Sequence, residues 1–369
     1  MPARFLVLSA SMGSGHDAVA AELARRLEAA GHHTSRADVL ALLPSGAGRA
    51  IRSFYRGTLH HLPSLYGGLY AAFFRSGSGP RPGSAPLAVL AERRLARLVA
   101  RERPDAVVSV FHLAAQLTGR MRARGTLAVP AAVVLTDFAV HRQWLHPGND
   151  LHLCLTQGIA DEVAGALGRP AMASGPLVAG RFLGPVPTAD RWRHRLGPPG
   201  TDPVLVSAGA WGAGSQVVRT ARLVGAAGYR PVVLCGRNAK LRHDLARSPG
   251  VLPLGWVQDM PGLLSAACAL IDNAAGQTAL EALAVGVPVI GYRPIPGHGA
   301  EGVRKMARLG LTDHATDPWA MLRSLDALSP PGPPRSSRIA AGRDLFTADA
   351  VGPLTALARG ALPSGAVPG

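Results

Sequence analysis

The stretch "RFLVLSASMGSGHDAVAAELARRL", residues 4–27, runs from a strand-like segment directly into two glycines and a histidine, and then into an amphipathic helix. Phe5 to Leu8 form an unbroken apolar run, too short for a membrane span and suited to a buried parallel strand. Ala18, Ala21, Leu23 and Leu27 recur at helical spacing. Between them, Gly13 and Gly15 allow a tight turn and keep bulk away from the helix N-terminus, where free N–H groups favour negative charge. Strand, glycine turn and helix open a doubly wound domain, although the full G-x-G-x-x-G dinucleotide pattern is absent. His16 has two readings. In the first helical turn the dipole favours its neutral form, which a general base needs; alternatively it is a helix-start histidine bonded to a carbonyl.

The same alternation continues outward. Apolar runs at 106–111 and 131–135 are separated by helical stretches such as 87–101, the pattern of a parallel sheet with crossover helices. A glycine- and proline-rich passage at 174–203 interrupts it. Strand-like runs resume at 204–207, 231–235, 251–254 and 287–290, so the expected fold class is α/β with two Rossmann-like halves. The segment "SPPGPPRSSR" (329–338) and the terminal "LPSGAVPG" read as loop and tail. In the second half, Gly209, Gly212 and Gly214 would let backbone amides approach a phosphate. Asn273 to Thr278 form a small-residue loop feeding a helix that carries Glu281. A carboxylate beside a phosphate loop suits the hydroxyls of a ribose; the other reading is a cap or ion pair on a solvated helix.

Composition restricts the class. The chain has 369 residues, 47% of them hydrophobic, enough for two cores. Its three cysteines, Cys154, Cys235 and Cys268, are widely spaced, which suggests neither a disulfide framework nor a zinc site and points to a reducing cytosol. No secretory cleavage region or membrane-length apolar run is apparent, so a soluble or peripheral protein is expected. Scattered histidine pairs, His32 with His33 and His60 with His61, read as surface residues, and no metal cluster is expected. The formal charge is +16. No acidic residue lies between Asp38 and Glu92, a stretch holding Arg49, Arg52, Arg56, Arg75 and Arg81 together with Phe54, Tyr55, Tyr66, Tyr70, Phe73 and Phe74. Such a mixture suits an anionic membrane surface, nucleic acid, or a solvated helix with a satellite core.

Several motifs in order, "LSASMGSGHDAVAAEL", "VLTDFAVHRQWLHPGNDLHL", "CGRNAKL" and the run from Gly255 to Gly299, resemble the monogalactosyldiacylglycerol synthase and processive diacylglycerol glucosyltransferase family, whose wider relatives include the transferase that adds N-acetylglucosamine to the undecaprenyl-linked cell-wall precursor. The resemblance implies a GT-B fold: an acceptor domain (1–180), a linker (181–202), a nucleotide-sugar domain (203–345), and a crossing helix with a flexible tail (346–369). It implies an inverting, metal-independent hexosyl transfer from a nucleotide sugar, UDP-linked by preference, with no further cofactor. The acceptor is a lipid such as diacylglycerol; the alternatives are a small natural product or a non-catalytic nucleotide-binding protein. The expected partners are then donor, lipid and an anionic membrane, with no nucleic acid, and the expected location is the inner face of the cytoplasmic membrane. On the acceptor side the resemblance makes His16 the base, Asp137 its orienting or sharing partner, and Gly13, Gly15, His141 and Trp144 the acceptor contacts; Tyr66 and Tyr70, from the acid-free aromatic stretch, are expected to join them. On the donor side, Gly209, Trp211 and Gly212 face the diphosphate, with Arg237 and Asn238 near it. Val257 offers its backbone to uracil, Asn273, Gly276, Gln277 and Thr278 line the loop, Glu281 holds the ribose, and His298 sits near the sugar. The chain departs from the family at Ala275, Gln277, Gly299 and Gly302, which bears on the choice of sugar.

Overall fold

The structure, a computed structural model, describes residues 1–61, 63–74, 83–212 and 216–361, and only the backbone of 59–61, 63, 64 and 66. Two compact units emerge: Met1–Gly57, Gly68–Leu177 and Leu345–Gly369 form the first, and Thr58–Gly67 with Val178–Asp344 the second.

The first unit contains, in chain order, β1 (Arg4–Ser9), α1 (Ser14–Ala29), β2 (His33–Asp38), α2 (Ala47–His61), α3 (Pro63–Phe73), α4 (Ala85–Glu102), β3 (Ala106–Ser109), α5 (His112–Ala123), β4 (Ala131–Val134), β5 (Leu151–Cys154), α6 (Gln157–Leu167) and β6 (Ala171–Ala173), with Thr58–Gly67 of the α2–α3 region grouped with the second unit. Its six strands are all parallel in the order β2-β1-β3-β4-β5-β6. Apolar side chains alternate across the sheet. Phe5 and Val7 face one core with Leu23 and Leu27 of α1, while Leu6 and Leu8 face another with Leu95 of α4 and Leu117 of α5. His152 of β5 is fully buried, with the Pro170 backbone as a polar neighbour. Burial holds its imidazole neutral, with a pKa pushed down to about 4.

The second unit continues with α7 (Ala189–Leu196), β7 (Pro203–Ser207), α8 (Val217–Ala226), β8 (Arg230–Leu234), α9 (Ala239–Ala246), β9 (Leu252–Leu254), α10 (Met260–Ser265), β10 (Ala269–Asp272), α11 (Gln277–Val285), β11 (Val289–Tyr292), α12 (His298–Arg308), β12 (Thr312–Ala315), α13 (Pro318–Leu328) and α14 (Pro333–Asp344). Its parallel sheet runs β12-β11-β10-β7-β8-β9. The chain then returns to the first unit, where α15 (Val351–Ala358) packs Leu354 and Leu357 into the core shared by β1 and α1.

Four expectations from sequence are corrected. The stretch 181–202 is not a linker: α7 folds within the second unit, burying Trp192, whose indole N–H donates to Asp259 at 2.8 Å. Nor is "SPPGPPRSSR" a loop, because Pro333 and Pro334 begin α14, where proline's missing N–H costs nothing. Arg335 anchors that helix by donating to the carbonyl of Leu328 at 2.8 Å. His32 is buried rather than superficial; its Nδ1 accepts from the Ala3 N–H at 3.1 Å and its Nε2 lies 3.0 Å from the Thr355 hydroxyl, joining β1 to α15. Finally, neither Gly13 nor Gly15 has a positive φ. Gly13 is extended, at φ −155°, and α1 already starts at Ser14, so no tight turn requires them.

Candidate functional site

In an open parallel sheet, ligands bind outside the carboxyl ends of the strands where the strand order reverses. The first unit reverses between β1 and β3. His16 in the first turn of α1 lies there, with Nδ1 3.1 Å from the carbonyl oxygen of Val110, just past β3, and 3.3 Å from the Thr136 hydroxyl, just past β4. A carbonyl only accepts, so in this contact Nδ1 carries a hydrogen, and Nε2 is left for another partner. The helix-start reading of His16, bonded to a carbonyl, is thus the one this contact bears out. The Phe111 ring meets the imidazole edge-on at 4.9 Å, limiting its rotation. A Cβ at Gly13 would meet nothing within 4 Å, so the glycine leaves open space near the helix start. Sequence reasoning passed over Asp17, which accepts from Ser9 Oγ at 3.1 Å and ties the end of β1 to α1.

Asp137 Oδ2 accepts from Trp144 Nε1 at 3.1 Å, and the Trp144 ring lies 6.4 Å from that of His16. Trp144 and His141 are buried and stacked at 6.0 Å. Phe74 and His112 complete an aromatic box: Phe74 packs edge-on against His141 at 4.8 Å and against His112 at 5.1 Å. Tyr70, which is 2% exposed, stacks on Phe74 at 5.3 Å. It is therefore a core residue and not a side chain free to enter a bilayer, and it supports the box from behind. The Tyr66 side chain, Arg75 and Arg81 lie outside the described residues. Arg52 has an acidic neighbour after all, Asp38 at 3.1 Å, brought close by folding across 14 positions of sequence. Phe54 of α2 and Phe73 of α3 are exposed.

The second unit reverses between β7 and β10. After β7, Gly209 and Gly212 have left-handed φ of 68° and 61°, and the loop docks on the turn after β8. Arg237 N–H donates to Ala210 O at 2.9 Å, and Asn238 Nδ2 donates to Gly212 O at 3.3 Å. Asn238 also caps α9 through Leu241 N at 2.9 Å, so this side chain positions the loop. Gly236, which sequence reasoning did not single out, is required here: a Cβ would lie 2.5 Å from the carbonyl oxygens of Gly209 and Ala210. The Arg237 guanidinium lies 4.6 Å over the Trp256 ring and 5.9 Å over that of Trp211. Val257 follows Trp256, half-buried, in the loop after β9.

After β10, Asp272 organises the Asn273–Gly276 loop, its Oδ2 accepting from Ala274 N at 2.9 Å and Ala275 N at 2.6 Å. Thr278 and Glu281 follow on α11, and Gln277 donates to the Glu281 carboxyl. Burial pushes that carboxyl up to about 7, against the pull of Arg181 and Gln277. His298 begins α12, whose first turns press on the same loop. A Cβ at Gly299 would sit 3.0 Å from Asn273 O, and one at Gly302 would sit 2.9 Å from Ala275 Cβ. The departures at 275, 299 and 302 are thus one packing arrangement. Ala275 also holds φ +52°, a conformation that costs an L-residue roughly 1–2 kcal/mol. Gly302→Ala is expected to lower unfolding stability by about 1–2 kcal/mol, whereas in an Ala275→Gly background it raises stability by roughly the helix preference of alanine over glycine. Denaturant melts of the four proteins in this cycle check it; equal effects in both backgrounds would separate the two positions.

Of the four non-glycine residues with positive φ among those described, three sit in loops after adjacent strands of this sheet: Gln216 after β7, Ala275 after β10 and Arg293 after β11. The three strained positions thus lie together at the carboxyl ends of neighbouring strands. No three His, Cys, Asp or Glu side chains among the described residues are grouped to hold a metal.

Two doubly wound units of this design constitute the GT-B architecture of glycosyltransferases, and solved structures agree. MurG of Acinetobacter baumannii is 14% identical, with a TM-score of 0.55 over 94% of this chain and 95% of that one. The glycosyltransferase SnogD of Streptomyces nogalater is 17% identical, with a TM-score of 0.61 over 97% and 100%. The more particular resemblance carried by the motifs is borne out: residues 16–175 match the monogalactosyldiacylglycerol (MGDG) synthase family. A processive diacylglycerol beta-glucosyltransferase of Bacillus subtilis (strain 168) is 27% identical over 58% of this chain and 57% of its own length, so the match spans little more than half of that relative. One from Bacillus cereus (strain AH187) is 25% identical over 88% and 85%.

Proposed function

We propose that this chain is an inverting glycosyltransferase that moves a hexose from a nucleotide sugar, UDP-linked by preference, to the hydroxyl of a lipid such as diacylglycerol. The observation that carries the reading is His16, oriented by the Val110 carbonyl so that Nε2 is the basic nitrogen at the switch point of the first sheet. In the reaction the acceptor oxygen attacks the anomeric carbon and its proton passes to Nε2. The bond from that carbon to the diphosphate oxygen breaks, and configuration inverts in a single displacement. Backbone amides of the glycine loop after β7 stabilise the departing diphosphate, and no metal or other cofactor is invoked. Glu281 accepts from the ribose, and the Val257 backbone meets the base. The aromatic box of His141, Trp144 and His112 shapes the acceptor side.

A lipid acceptor supports the reading that the enzyme works at a membrane surface, on the cytoplasmic face. No described helix is long and apolar enough to cross a bilayer. Exposed Phe54 and Phe73, with Arg49 and Arg56 of α2, supply an amphipathic contact of the kind that binds reversibly to anionic lipid. The test is incubation with a panel of nucleotide sugars, with anionic or neutral vesicles containing diacylglycerol, followed by mass analysis of products and sedimentation of the vesicles. A hexosylated lipid formed faster on anionic vesicles, with the protein co-sedimenting, is the expected result. Turnover of soluble acceptors alone would reject the lipid assignment.

A further inference from the structure

Arg293 follows β11 directly and holds φ +49°, a backbone conformation unfavourable for an arginine, in the loop beside Asn273–Gly276, to which it is joined by the Ile295 N–H donating to Asn273 O at 2.8 Å. Its Nη1 is buried without a hydrogen-bond partner among the described residues, and so is the hydroxyl of Tyr292, a residue 3% exposed. The guanidinium lies 4.8 Å over the Tyr292 ring. Two adjacent buried donors left unsatisfied are costly, on the order of 1–3 kcal/mol each, and a strained backbone adds to the cost. Both are explained if the pair faces an acceptor that the described residues do not supply. The surrounding charges fit an anion. Arg219 of α8 and Arg293 both act on the Tyr292 hydroxyl; the carboxylate that also acts on it, Asp317, is committed to capping α13, accepting from Ala320 N at 2.9 Å.

We infer that Tyr292 and Arg293 form an anion-binding pair at the carboxyl end of β11, built for a diphosphate: the planar fork of arginine donates to its oxygens and the phenol adds one further bond. Resting on the function proposed above, the diphosphate is that of the nucleotide donor, and the pair is a donor-side determinant beyond the glycine loop and Glu281.

Calorimetric titration of wild type, Arg293→Gln, Arg293→Lys and Tyr292→Phe with inorganic pyrophosphate, UDP and uridine tests this, with circular dichroism and melting as controls of folding. Arg293→Gln is expected to weaken pyrophosphate and UDP about tenfold or more while leaving uridine within about twofold. Arg293→Lys, which keeps the charge but loses the fork, and Tyr292→Phe fall between. Should Arg293→Gln not fold, the other two variants carry the comparison. Equal losses for UDP and uridine, no loss for either diphosphate in any folded variant, or wild type that binds no diphosphate would overturn the pair. Arg293-dependent binding of pyrophosphate without binding of UDP would uphold the pair and reject the UDP donor, and UDP binding indifferent to Arg293 would do the reverse.

Discussion

His16→Ala is expected to lower turnover by roughly two to four orders of magnitude while leaving the affinity for UDP unchanged. The imidazole belongs to the first unit, and none of the groups assigned to the donor does, which separates the two effects. Its Nδ1 is held by the Val110 carbonyl and its ring by Phe111, so the residue is already oriented, with Nε2 left to take the acceptor proton in the proposed reaction. His16→Gln, which can donate and accept hydrogen bonds but cannot take up a proton at neutral pH, is expected to be nearly as slow. Turnover at saturating acceptor, measured beside calorimetric UDP binding, distinguishes chemistry from binding. Near-normal turnover in either variant would move the base to Asp137, despite its bond to Trp144.

Glu281→Ala is expected to weaken a ribonucleoside diphosphate by about 1–3 kcal/mol, and a deoxyribose analogue by less, since in the proposed function the lost acceptor serves the ribose hydroxyls. The pH dependence follows from a carboxyl pushed up to about 7. As an acceptor the group works best ionised, so UDP affinity should fall as pH drops through 7. Stability runs the other way. The folded value lies above the ordinary 4.5, so the native state favours the proton; that contribution is fully present below 4.5 and is lost as pH rises through 7. The difference of roughly 2.5 pH units amounts to about 3 kcal/mol. Glu281→Gln should therefore melt higher than wild type at pH 8 and no higher at pH 4, while binding UDP more weakly. Identical melting of the two proteins at pH 8 would show that the carboxyl is not held in a desolvated site.

β1, β3, β4, β7, β8 and β11 were legible because they lie within or against continuous apolar runs, whereas β10, central in its sheet, was not picked out. β2 (HTSRAD) and β12 (TDHA) are polar edge strands, half-covered and without alternation, and no period marks them. β5 (LHLC) is broken by His152, which burial alone cannot announce. α14 was hidden by its prolines, which count against a helix interior but favour its first turn. At the site, residue types and order were readable, whereas Asp272, Gly236 and Arg293 were not. Their roles come from backbone approach and from unsatisfied atoms that exist only after folding. Tyr70 and Arg52 show the converse: an aromatic-basic stretch reads as surface, yet folding buries one and pairs the other.

The return of the chain to the first unit has a consequence for biogenesis. The second unit, apart from Thr58–Gly67, is one continuous run that ends at Asp344. The first needs α15 to close the apolar face formed by β1 and α1, and it needs the Thr355 hydroxyl beside His32. During synthesis the first sheet therefore leaves the ribosome early but stays open along that face until residue 358 has emerged, after the second unit already has all its strands. The part of the protein made first is thus the last to be completed, and a chain stopped just before α15 would expose the core of the unit that carries His16 while leaving the strands and helices of the other intact.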